Sequence, residues 1–163
     1  MRMSLSNASK PVKVLLLIGV LISPWLFSQA VIFVIASDQE IESMPICESN
    51  SGNCAHLGGG ENYRINNSLP TQIDINSSQA WVIISNYIED NNGKILIENG
   101  NGINYYVHFV EKTSFWNFPD DVVIQISGND EGCVIEIHSE SRLGWGDVGI
   151  NPERINKIHE LLV

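Results

Sequence analysis

The stretch that decides the fold is DVVIQISGNDEGCVIEIHS, residues 121–139. Val122, Ile124 and Ile126 alternate with Val123, Gln125 and Ser127. After GNDEG, Cys133, Ile135 and Ile137 alternate with Val134, Glu136 and His138. Period-two alternation on both sides of a glycine-bounded polar turn predicts an antiparallel hairpin with one apolar face and one mixed face. A sheet of that kind needs helices on a single side.

Working upstream, KILIE and INYYVHFVE flank NGNG, which predicts a second hairpin. TQIDI, residues 71–75, is expected as a short strand. NSS then opens a helix over QAWVIISNYIEDN, where Ala80, Ile84, Tyr87 and Ile88 share one face. Downstream, Asn151 is expected as N-cap and Pro152 as first residue of a closing helix that buries Ile155, Ile158 and Leu162. The expected fold is α+β: an antiparallel four- to five-stranded sheet with two helices on one face, in the order β-α-β-β-β-β-α, spanning residues 63–163. Residues 38–62 are expected to form an acidic, cysteine-containing linker that is mostly irregular.

Between residues 14 and 37 there is no charged side chain. As a helix this run would reach about 36 Å, enough to cross a hydrocarbon core of about 30 Å. Arg2, Lys10 and Lys13 precede it, and every acidic residue follows it. That asymmetry predicts a cytoplasmic N-terminus (1–13), a spanning anchor (14–37) in the inner cell membrane whose partner is the lipid bilayer, and an extracytoplasmic, periplasmic domain. The alternative is secretion after signal-peptide cleavage at SQA or VIA. After residue 37 only six basic residues stand against 19 acidic ones, a balance that repels phosphate backbones and excludes nucleic acid as a partner. Neutral or cationic partners fit better: an envelope protein or a small ligand.

In an oxidising compartment, Cys47 and Cys54 are expected to bridge across the polar loop CESNSGNC. Zinc held by Cys47, Cys54 and His56 is the rival, but the spacing has no CxxC knuckle and no second pair, so neither a metal nor a cofactor is expected. Cys133 begins an alternating strand and is expected as an inert, buried thiol.

Three segments carry a family resemblance: Asn53-Cys54; Phe118 with Asp120-Asp121; and Ser141-Arg142, Gly144, Asp147, Gly149, Asn151 and Arg154 leading into the last helix. Together they resemble the bacterial and plant family called domain of unknown function 1499. Pro119 stands between Phe118 and the aspartates, and His138 stands where that family's pattern has arginine. The resemblance implies a fold and a membrane-associated habit, and no reaction.

The corner SESRLGWGDVGIN offers two arrangements. In one, Arg142, Ser139, Ser141 and the opening amides of the last helix cradle a small anion. In the other, Arg142 pairs with Asp120, Asp121 or Asp147, while Gly144, Gly146 and Gly149 supply turn geometry. Adjacent strand residues face opposite ways, so Asp120 and Asp121 do not converge on a metal. Tyr106, His108 and His138 are expected on the sheet face that the helices leave open, as exposed side chains lining a groove. Trp116 and Trp145 are expected in loops, as a lid over the core or a contact surface. The ligand or partner contacts are therefore expected among Arg142, Ser141, Trp145, Asp121, Asp147, Tyr106, His108 and Trp116. The structural corner is expected from Gly144, Gly149, Asn151 and Arg154. No GxSxG or Cys-His signature accompanies them, so no catalytic residue is assigned. The leading expectation is a non-catalytic binding or assembly module. The alternatives are an enzyme built around Arg142, Asp121 and His108, and a purely structural envelope protein.

Overall fold

The computed structural model describes residues 9–163, so most of the basic N-terminal stretch lies outside the described residues. Helix α1 (Lys10–Ile35) is followed by strands β1 (Cys54–Leu57) and β2 (Gln72–Ile73), helix α2 (Ser77–Asp90), strands β3 (Lys94–Gly100), β4 (Asn104–Lys112), β5 (Pro119–Asn129) and β6 (Gly132–Ser141), and helix α3 (Ile150–Leu162). The six strands form one sheet in the order β1-β6-β5-β4-β3, with β2 also pairing β6. Each pairing is antiparallel. The class is the expected α+β. The sheet gains β1, four buried residues from the segment expected to be irregular linker.

The β5–β6 register runs from Asp120 opposite Ser141 to Asn129 opposite Gly132, leaving Asp130 and Glu131 as the turn. That register places Val122, Ile124 and Ile126 on the same face as Cys133, Ile135 and Ile137, where α2 and α3 cover them. Helix α2 contributes Ala80, Ile84, Tyr87 and Ile88, and α3 contributes Ile155, Ile158 and Leu162. Asn76 caps α2 reciprocally with Gln79, satisfying two amides that the first turn leaves open.

The start of α3 differs from expectation. Gly149, at φ 87, is the N-cap, and Asn151 lies within the first turn. The capping atoms belong to Asp147, whose carboxylate accepts from the amides of Gly149 (2.9 Å) and Asn151 (3.2 Å). A carboxylate suits the positive end of a helix better than an amide does. Gly144 also takes a positive φ, of 97, whereas Gly146 does not and instead bridges Gly52. There a Cβ on Gly52 would stand 2.5 Å from the Trp145 carbonyl, so close backbone approach is what that glycine supplies.

Candidate functional site

Period-two alternation sends two separate constellations to the two faces of the sheet. On the helix face, the end of the apolar core turns polar. Arg154 of α3 donates to Asp120 (2.8 Å), Ser139 (2.9 Å) and Asn151 (2.7 Å) and pairs with Glu111 at 3.1 Å. Ser139 donates to Asn151 Oδ1, and Asn151 Nδ2 donates to the Asn53 carbonyl and the Ser141 hydroxyl. Tyr87 donates to Glu111. This buried network fastens α3 to β4, β5 and β6. The motif residues Ser141, Asn151 and Arg154 lie in it, and Asp120 serves it from the face opposite Asp121.

On the other face a row crosses the sheet: His56 of β1, His138 of β6, Val123 of β5 and His108 of β4 stand opposite one another in register. His108 and His138 are buried, contrary to the exposed positions expected for them. The chain after α1 covers them. The Ile41 amide donates to His108 Nδ1 (3.1 Å), and Tyr106 donates to the Ile41 carbonyl (2.7 Å). Since Nδ1 accepts, the His108 proton sits on Nε2, which donates to Asp121 at 2.7 Å. Arg142 grips the same Asp121 carboxylate with Nε and Nη2, and its Nη1 donates to the Ala36 carbonyl (3.2 Å) and to Asp38 (2.7 Å). Lys94 holds Asp38 from the other edge. Burial works to raise the Asp121 carboxyl, but Arg142 and His108 outweigh it and hold the group below the ordinary carboxylate value. Burial pushes the Tyr106 hydroxyl up to about 12, with Glu42 adding to it. Arg142, Asp121, His108 and Tyr106 therefore form one assembly, a latch that straps residues 36–41 across the sheet.

Beside the latch, Cys47 and Cys54 are bridged, with Cα atoms 5.7 Å apart, so the strap is fastened covalently at its far end. The buried Cys54 sulfur lies 3.6 Å from His138 Nε2, and His138 Nδ1 faces His56 Nδ1 at 3.3 Å. His56 Nε2 meets Glu136 at 3.2 Å. Burial and then the neighbouring His138 push the His56 imidazole below its ordinary value, against the pull of Glu136. His56 and Glu136 open into a cleft of about 640 Å³, walled by residues 44–47 on one side and by 58–63 on the other.

Asp147 and the two tryptophans lie elsewhere. Asp147 pairs bidentately with Arg64 (2.7 and 3.1 Å). Burial raises its carboxyl, but Arg64 and the Gly149 amide lower it further, to a net value below the ordinary one. The position where an anion would meet the opening amides of α3 is thus filled by the protein's own carboxylate. Trp145 projects fully into solvent (99% exposed). Trp116 sits in the β4–β5 loop, whose backbone carbonyls contact α1.

The pairing of His56 with His138, the part of Glu136, and Arg64 as the partner of Asp147 are not among the sequence expectations. One signal was present: His56 follows Cys54 by two residues, and Glu136, His138 and Glu140 share one parity in β6, so a strand at each place puts them on the same face.

Among curated proteins none matches the chain. The family described as protein of unknown function (DUF1499) matches residues 34–162, from the end of α1 through the strap, the disulfide and the whole sheet to the close of α3. The match covers both constellations, and the chain belongs to the DUF1499 family.

Proposed function

We propose that the protein is a bilayer-anchored, extracytoplasmic binding module that takes a small neutral or cationic ligand in the cleft beside Cys47 and Cys54 and catalyses no reaction of its own. The observation that carries this reading is the contrast between the two constellations. At the corner and the latch the cationic side chains are paired: Arg142, Arg154 and Arg64 each hold carboxylates, and His108 is engaged at both nitrogens. In the cleft, by contrast, ionisable groups meet solvent. Glu136 lies partly open on its floor, Glu61 on its rim, and Ile46, 83% exposed, gives the wall an apolar contact. A low-dielectric wall beside carboxylates favours a compact cation with an apolar body. A helix of 26 residues long and apolar enough to cross a membrane, together with a disulfide, supports the extracytoplasmic placement.

The enzyme alternative needs Arg142, Asp121 and His108 available to a substrate, and both Arg142 and His108 are committed to Asp121. To test the binding reading, the full chain in lipid nanodiscs is titrated with choline, putrescine and acetate while amide resonances are followed. Choline or putrescine should perturb Cys47, His56, Glu136 and residues 58–60, and Glu136→Gln should weaken the effect at least about tenfold. Perturbations confined to the corner at 141–147, or acetate acting as strongly as the cations, would overturn it. A phosphatase reporter that folds only outside the cytoplasm, fused after Val163, should be active. Inactivity there would refute the topology.

A further inference from the structure

The β4–β5 loop, residues 113–118, reads TSFWNF and is built for a dry environment. Its backbone closes on itself: the Thr113 amide donates to the Phe118 carbonyl, the Asn117 amide to the Thr113 carbonyl, and the Phe118 amide to the Thr113 hydroxyl, each at 3.0 Å. Its side chains cluster aromatic on aromatic, with Trp116 5.0 Å from Phe115 and 6.4 Å from Phe118, centroid to centroid. Phe115 is nevertheless 67% exposed and Trp116 42% exposed, which is an unfavourable surface to show to water.

The tip carbonyls are taken by α1. Trp25 Nε1 donates to the Phe115 carbonyl at 3.1 Å, and Gln29 Nε2 donates to the Trp116 carbonyl at 2.9 Å. Gln29 Oε1 accepts in return from Asn117 Nδ2 at 3.3 Å. Gln29 is the sole side-chain amide in the uncharged stretch, and Trp25 its sole tryptophan. An amide in a lone spanning helix would meet hydrocarbon without a partner, at a cost of several kcal/mol. Here Trp25 and Gln29 of the anchor meet two loop carbonyls at the same depth.

That depth follows from helix geometry. Gln29 and Trp25 precede Ile35, the end of α1, by about 9 and 15 Å along the axis at about 1.5 Å per residue. A 26-residue helix exceeds a 30 Å core by only a few ångströms at each end. Loop atoms bonded to those two side chains therefore lie about 5–10 Å inside the boundary of the outer leaflet. Irregular backbone is tolerated there only when its polar groups are satisfied within the protein, and aromatic rings are the side chains that this zone favours.

We infer that residues 113–118 form a membrane-inserted aromatic wedge, seated in the outer leaflet against the anchor helix, with the bilayer interface itself as its partner. The wedge rests on the reading that α1 spans the membrane. The experiment uses the full chain in phosphatidylcholine nanodiscs carrying 5-doxyl or 16-doxyl lipid, with paramagnetic broadening of amide signals as readout. The 5-doxyl lipid should remove more than about half the intensity of Phe115 and Trp116, more than the 16-doxyl lipid does. Asp130 and Glu131, at the opposite end of the sheet, should keep theirs. If the amides of α1 are broadened while Phe115 and Trp116 behave like Asp130 and Glu131, the wedge is overturned and the anchor stands. If the α1 amides are themselves unbroadened, anchor and wedge fall together.

Discussion

At the scale of the residue, Arg154 and Trp145 mark the two extremes of the closing motif. Arg154 is buried among Asp120, Glu111, Ser139 and Asn151, so its removal leaves carboxylates without a counter-charge. Arg154→Leu should lower unfolding free energy by about 3–5 kcal/mol in urea titrations, the range for breaking one partner of a buried ion pair. Trp145→Ala should change it by less than about 0.5 kcal/mol, because the ring touches solvent alone. Parity along β5 made the separation of Asp120 from Asp121 legible in advance, and with it Asp121 as a partner for Arg142. Asp38 was not legible as the second partner, since nothing local ties it to a residue 104 positions away. The role of Asp147 was hidden for a related reason. Asn151-Pro152 has the composition of a helix start, and only the position of Gly149 shows that the cap lies two residues earlier.

At the scale of the element, the strap over residues 36–47 is held by side-chain contacts at one end and a disulfide at the other. Arg142→Ala removes the grip on Ala36, leaves Asp38 with Lys94 alone and leaves Asp121 with His108 alone. Hydrogen exchange at the Ile41 amide should then accelerate at least about tenfold, while the amides of β5 and β6 exchange as before. Replacing Cys47 and Cys54 by serine opens the other end. By the chain-entropy argument a loop this short contributes about 2.5 kcal/mol, so the double variant should lose roughly that much in urea titrations. The two hairpins and two domain helices were legible because one face of each is apolar and the other mixed or polar, and the contrast between faces writes a period into the sequence. Strand β1 carries no such contrast: helices cover one side and the strap the other, so all four of its residues are buried. The same cover explains why His108 and His138, expected to be exposed, are buried.

At the scale of the whole molecule, acid should unfold the domain in two stages. The folded His56 imidazole titrates below its ordinary value of 6.5, so its contribution to stability is complete above that pH and declines as pH falls beneath it. Asp121 and Asp147 titrate below their ordinary 3.8, so their contribution persists above that value and disappears as pH falls through their lowered folded values. Urea midpoints should be level from pH 8 to about 7, fall modestly toward pH 5, and fall steeply below about pH 4. His56→Gln should flatten the first decline and leave the second.

The bonds from Arg142 to Ala36 and Asp38 begin one residue after α1 ends. A flexible tether of a few dozen residues would let a domain sweep tens of ångströms above its membrane. Here the working tether has almost no length, so the domain has no reach. With α1 held in a bilayer, as proposed above, the domain would meet only what diffuses to that surface, in an orientation set by the helix rather than sampled.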